Sequence, residues 1–275
     1  MNTSRISLSI AISAIVLSMF ACSPASNPVA TATQPPQATA NVPTPTMETQ
    51  TIVESPTNIP VPSTLACDNP YLPVIAGASW SYKLTGPIPD TFTHTILSVE
   101  SNSFVEQDVF GTGVTRAGKW NCDNGNLIAL NPPTGSSGTV SAENVSVDFQ
   151  TKDLSGITLP ATMNAGDTWS QSLTLEGTET INGTAFPASN QLTSNCKATG
   201  TESVTVEAGT FDAMRVECET TMKISIKLGA TPTETTLNLV GTNWYVRGIG
   251  LVKTLTTGLG LDSTTELVSY NIPTP

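Results

Sequence analysis

Histidine is almost missing from this sequence. A single one, His94, occurs among 275 residues. A serine triad or a histidine-ligated metal site would have to be built around it, and no Gly-x-Ser-x-Gly turn accompanies it. Phe92 and Ile96 share its face in a short alternating run, which reads as a hydrogen-bonded histidine on a strand. Charge is scarce as well: 12% of residues are charged and the formal balance is −11. No basic patch or run of like charge occurs, and a net-negative surface repels phosphate backbones, which excludes nucleic acid as a partner. Cys-x-x-Cys spacing is lacking, so zinc has no usual ligand set. The CDNGN stretch, Cys122–Asn126, has one Asp and no acid at calcium-loop spacing, and reads as an Asn-Gly hairpin turn. The TGSSG stretch at 134–138 lacks the Lys-Ser/Thr of a phosphate cradle. These absences leave no metal, no cofactor and no catalytic residue to nominate. Two carboxylates brought together by the fold are the remaining route to a hydrolase.

Long apolar runs are confined to the start. One cation, Arg5, precedes a block of apolar and small residues from Ile6 to Ala21. A membrane span needs roughly 20 apolar residues, so the block is short for an anchor and suited to an export signal. It ends at Ala21-Cys22, where it resembles a bacterial lipoprotein signal, although Met19 and Phe20 depart from the residues usual there. The resemblance implies that 1–21 is removed and that the Cys22 thiol is acylated. Ordinary cleavage a few residues later, discarding Cys22, is the alternative.

Residues 23–66 contain nine Pro and nine Thr, no Gly, no aromatic residue, and Glu48 and Glu54 as their charges. Such a segment buries too little apolar surface to offset its ordering entropy. Its proline biases it to polyproline II at ~3.1 Å per residue, an upper reach on the order of 130 Å. The organisation expected is therefore a signal at 1–21, a lipidated Cys22 with a disordered linker over 22–66, and an extracytoplasmic domain at 67–275. The location implied is the bacterial cell envelope, with the membrane itself as partner through the lipid.

Setting Cys22 aside leaves Cys67, Cys122, Cys196 and Cys218, an even number in an exported protein, which reads as two disulfides. Of the three pairings, sequence order favours Cys67–Cys122 and Cys196–Cys218.

Beyond residue 66, runs of Val, Ile, Thr and Leu are divided by Gly, Asn, Asp and Pro, and helix signals are scarce. Met214–Leu228 alternates strictly, with Met214, Val216, Cys218, Met222, Ile224 and Ile226 on one face and Arg215, Glu217, Glu219 and Lys223 on the other. Its hairpin partner is the stretch before Gly209, with a five-residue loop or one bulge bringing Cys196 opposite Cys218. The expectation is an all-β fold of antiparallel sheets, as a sandwich or a half-barrel.

One phrase occurs twice: AGASWSYKL at 76–84 and AGDTWSQSL at 165–173. Each is followed by a second tryptophan and a Gly turn, in KWNCDNGNLIAL at 119–130 and NWYVRGIGLVKTL at 243–255. Leu72-Pro73 and Leu159-Pro160 precede the two openings. Two related halves, 67–157 and 158–275, account for the pattern, with Trp80, Trp120, Trp169 and Trp244 as core anchors of roughly 200 Å² each.

LPVIAGASWSY, KWNCDNGNLIAL and VEAGTFDAMRVE (206–217) together resemble the β-rich domain of bacterial envelope lipoproteins of uncharacterised function. The resemblance implies export and β structure and supplies no catalytic residue. The function expected is a tethered, non-catalytic binding or interaction module for an envelope protein, a glycan or a small hydrophobic ligand. A hydrophobic-ligand carrier with a half-barrel cavity is the first alternative, a carboxylate-dependent hydrolase the second.

Overall fold

The computed structural model describes residues 66–131, 139–227, 231–258 and 262–274. The export signal at 1–21, Cys22, the linker as far as 65 and the 134–138 loop lie outside the described residues. Thirteen strands follow one another: β1 Ser79–Thr85, β2 Asp90–Val99, β3 Ser103–Phe110, β4 Thr115–Asp123, β5 Asn126–Ala129, β6 Thr139–Ala142, β7 Val145–Gly156, β8 Thr168–Ile181, β9 Thr184–Val206, β10 Gly209–Ile226, β11 Thr233–Val246, β12 Gly250–Thr257 and β13 Ser263–Asn271. No helix occurs among the described residues.

The strands form one antiparallel sheet in the order β3-β2-β1-β13-β12-β11-β10-β9-β8-β7-β6-β4-β5, and β3 also pairs with β4. That pairing closes a ring of twelve strands, with β5 attached to β4 alone. β6 pairs with Thr115–Ala117 of β4 and β5 with Trp120–Asp123. A bridge from Leu127 to Leu159 stitches β5 to the segment that follows β7. The expected sandwich or half-barrel is thus corrected to a closed barrel. Its first and last strands, β1 and β13, pair from Ser79↔Asn271 to Thr85↔Thr264, and closure leaves the ring no unpaired edge.

Six ring strands precede residue 158 and six follow it, each set contiguous around the ring. The repeated phrase opens both sets with the same geometry. Gly77 and Gly166 have φ of 83° and 96°. The Gly77 N–H donates to Ile96 O at 2.9 Å and the Ile96 N–H to Ala78 O at 3.0 Å; the Gly166 N–H donates to Ala198 O at 2.8 Å and the Ala198 N–H to Asp167 O at 2.9 Å. The closing tryptophans match in register too, Trp120 opposite Ala129 and Trp244 opposite Lys253. A bulge between Trp244 and Tyr245 then shifts the phase, so Leu127 is buried in the first set and Val252, not Leu251, in the second.

The four tryptophans are not equally buried. Trp80 and Trp120 are core residues. Trp169 is half-buried, its indole N–H donating to Thr158 O at 3.0 Å. Trp244 is half-buried with its indole N–H on the Glu202 carboxylate and Lys253 Nζ 5.9 Å from its ring. All four tryptophans pack on the main core, Trp80 and Trp120 within it and Trp169 and Trp244 at its margin, the last beside Glu202 of β9 and Lys253 of β12.

Disulfides join Cys67 to Cys122 and Cys196 to Cys218. The first ties the segment entering β1 to β4. The second staples β9 to β10, where Thr199 is an extra residue between Gly200↔Arg215 and Ala198↔Val216. That bulge sets the two cysteines opposite, and the turn itself is tight, Val206 pairing with Gly209. It also breaks the expected alternation: the buried face of β10 runs through Val216, Met222, Ile224 and Ile226, while Ala213 replaces Met214 before it.

Candidate functional site

Two inward-facing regions of the barrel depart from a simple apolar core. The first is a belt of charge. On β3, Phe104, Glu106 and Asp108 face inward and are buried, whereas Val109 is 45% exposed. Strand pairing sets His94 of β2 and Arg116 of β4 directly opposite Asp108 on its two sides. His94 Nδ1 lies 2.8 Å from Asp108 Oδ1 and its Nε2 3.5 Å from Glu106 Oε2. Arg116 Nη2 donates to Asp108 Oδ2 at 2.9 Å. Gly118 makes room for Glu106, since a Cβ there would stand 2.7 Å from Glu106 Oε1.

Aromatic rings enclose the belt. Trp80 lies 5.4 Å from the His94 ring, and the cross-strand row Tyr82, Phe92 and Phe110 stacks at 5.0 and 4.9 Å. The Arg116 guanidinium sits 4.5 Å above Phe110. The Nε of Arg116 and the Nε1 of Trp120 are buried without an acceptor; the latter lies toward Glu106 and completes no hydrogen bond.

Burial is the largest influence on each acid and on the imidazole, yet the outcomes differ. For His94, burial opposes the charged form, but Glu106 and Asp108 outweigh it and hold the imidazolium to higher pH than usual. For Asp108, hydrogen bonds and charge from His94 and Arg116 overcome burial and keep the carboxyl below its usual range. For Glu106, burial wins over His94 and the carboxyl is pushed up. The belt therefore holds a salt-bridged Asp108 between two cations, with Glu106 more readily protonated. Asp108 is held by both cations, so this arrangement fixes charge within the belt.

The second region is apolar. Phe149 of β7, Leu173 and Leu175 of β8, Ala188 and Leu192 of β9, and Met222, Ile224 and Ile226 of β10 form a buried cluster, with Leu237 of β11 packed against it. It is separate from the main core around Trp80, Trp120, Leu127, Val216 and Leu267. Every member among the described residues comes from the five consecutive strands β7–β11. Within it Asn190 is buried with no partner for its Oδ1, and near it Glu179 is buried, its carboxyl pushed up by burial. The backbone register links the two regions in one row of paired positions: Trp80, His94, Asp108, Arg116, Val140, Val147, Glu179 and Phe186.

Of the residues singled out from sequence, the four paired cysteines serve as staples, and Asn124 and Gly125 form the hairpin turn with φ of 50° and 81°. Cys22 lies outside the described residues. Glu106, Asp108, Arg116, Glu179 and Asn190 carry no motif. Their one trace in the sequence is parity, since Glu106 and Asp108 fall on one face of β3 as His94 does on β2.

The chain matches the DUF3108-like family model over residues 112–270. No curated protein matches it. Among solved structures it is similar to a Parabacteroides distasonis protein described as a lipoprotein, at 18% identity and a TM-score of 0.50, over 74% of this chain and 99% of that one. It is also similar to a protein of Bacteroides fragilis described as exported with a YmcC-like fold, at 17% identity and a TM-score of 0.47, over 74% and 100%. The hypothetical lipoprotein YmcC of Escherichia coli matches at 10% identity and a TM-score of 0.35, over 72% and 85%. The Parabacteroides likeness is one of fold.

Proposed function

This chain belongs to the DUF3108-like family, and from that premise we propose that it is an exported envelope lipoprotein whose barrel binds a ligand on its inner wall without transforming it. In this reading Cys22 carries the lipid and residues 22–66 hold the barrel away from the membrane. The signal-like N-terminus supports export, as do neighbours described as exported or as lipoproteins. The matched openings of the two six-strand arcs support descent from one duplicated unit.

One observation carries the binding role: the ring closes at twelve strands, yet among the described residues its second apolar cluster is supplied by β7–β11. Side chains fill a barrel of about 8 strands, and the diameter grows with strand number. A wall of Ala188, Leu192, Ile224 and Ile226, each keeping a little accessible surface where Leu173 and Leu175 keep almost none, is suited to line a ligand. Solvent extraction of the protein purified from its own envelope, followed by mass spectrometry, tests this. A small molecule at one equivalent per barrel is expected, and extracts no different from those of an unrelated envelope protein would refute the reading.

A further inference from the structure

The lining cluster is not uniformly apolar, and its exceptions share one chemistry. Asn190 is 3% exposed, stands opposite Leu175 on one side and Ile224 on the other, and has no donor for Oδ1. Glu179 is 5% exposed, four positions along β8 from Leu175, between Val147 and Phe186. Among the described residues no cation or hydrogen-bond donor reaches its carboxyl group. Both groups are acceptors with no protein donor among the described residues, Asn190 Oδ1 fully enclosed and the Glu179 carboxylate less so. An enclosed acceptor without a donor is costly to leave unpaired. Four strand residues separate the two levels by about 13 Å, and between them lies the Gly177–Ala188 pair, which has almost no side-chain volume.

We propose that the inner wall of β8–β10 takes an amphiphilic amine, with its ammonium head on Glu179, its apolar body along Ala188, Leu192 and Ile224, and a second donor group along that body on Asn190. This deepens the luminal binding reading and rests on it. A protonated amine supplies what Glu179 lacks, keeps the carboxylate ionised by pairing, and forms the charge-assisted hydrogen bond that neutral donors match only in part. An acidic amphiphile would instead meet a buried carboxyl group of its own sign. Arg116, three ring strands away in the same register row, is already held by Asp108.

Photolabelling of the complete chain with a diazirine-bearing alkylamine and the matching alkyl carboxylate, mapped by peptide mass spectrometry, tests the assignment. The amine should label β8–β10 about tenfold more than the carboxylate, the ratio that ~1.4 kcal/mol of preference produces. Glu179→Gln should bring the two probes to within about twofold, with a thermal unfolding midpoint no lower than that of the unaltered chain showing that the barrel persists. Equal labelling of β8–β10 by both probes in the unaltered chain overturns the amine assignment and leaves luminal binding standing. An amine preference that survives Glu179→Gln overturns the assignment too. Labelling of β8–β10 by neither probe overturns the luminal reading beneath it.

Discussion

His94 Nδ1 lies 2.8 Å from Oδ1 of Asp108, across two strands whose register sets the residues directly opposite. Because His94 is the one histidine in the chain, its titration can be followed by NMR without assignment. Its midpoint should lie above the ordinary histidine value of about 6.5, since Glu106 and Asp108 outweigh burial. Asp108→Asn should lower it. Gly118→Ala should lower it as well, because the added methyl displaces the Glu106 carboxyl. A midpoint at or below 6.5 in the unaltered chain would contradict the geometry.

The same groups set the dependence of stability on pH. His94, raised when folded, stabilises fully below about pH 6.5, and that contribution is lost as pH climbs through its folded value. Asp108, lowered when folded, stabilises above the ordinary aspartate value of about 3.9, and that contribution is lost as pH falls through its folded value. Glu106 and Glu179, both raised, penalise the fold once pH exceeds their ordinary range near 4.3. Thermal unfolding should therefore peak in mild acid, and Glu179→Gln should raise the midpoint at neutral pH while leaving it unchanged at pH 3. Equal effects at both pH values would refute the Glu179 part of this account.

The strand character of β1–β13 was legible because alternation is local: Val216, Met222, Ile224 and Ile226 declare one face without knowledge of any partner. Ring closure was not, since it depends on β1 meeting β13 from the far end of the chain. The belt was hidden for a related reason. On β3, Val105 and Val109 make the odd face look like the buried one, and the fold buries Glu106 and Asp108 instead. That inversion is affordable only because His94 and Arg116 arrive from the strands on either side, which no local pattern announces. Asn190 likewise reads as an ordinary polar position until its neighbours Leu175 and Ile224 are known.

The two disulfides should contribute unequally. Chain-entropy reasoning gives about 3 kcal/mol for closing the shorter loop and about 4 for the longer, with sequence separations of 22 for Cys196–Cys218 and 55 for Cys67–Cys122. Chemical denaturation of the two paired Cys→Ala variants reads the difference. A greater loss for the shorter loop would point to packing and not chain entropy as the source.

Gly77 and Gly166 offer a test of the matched openings. Both have positive φ, and a Cβ at either would meet nothing within 4 Å. Alanine should therefore cost only the left-handed backbone term, about 1–2 kcal/mol at each position. Costs differing by more than about 1 kcal/mol would show that the two turns bear different loads.

Lipid attachment is tested at Cys22. Replacing it with alanine should stall processing of the precursor or release the protein from the membrane fraction, read by fractionation and intact mass. A mature protein of unchanged mass and unchanged membrane association would rule the anchor out.

The claim on which the account turns is that β7–β11 line a space and do not enclose a filled core, and Ala188→Trp tests it most directly. Ala188 faces the lining cluster beside Ile226, so an indole there enters whatever the wall surrounds. The account predicts a thermal midpoint within about 2 °C of the unaltered protein together with loss of the extractable ligand. A fall of about 6 °C or more, the mark of overpacking a full core by ~2–3 kcal/mol, would contradict it.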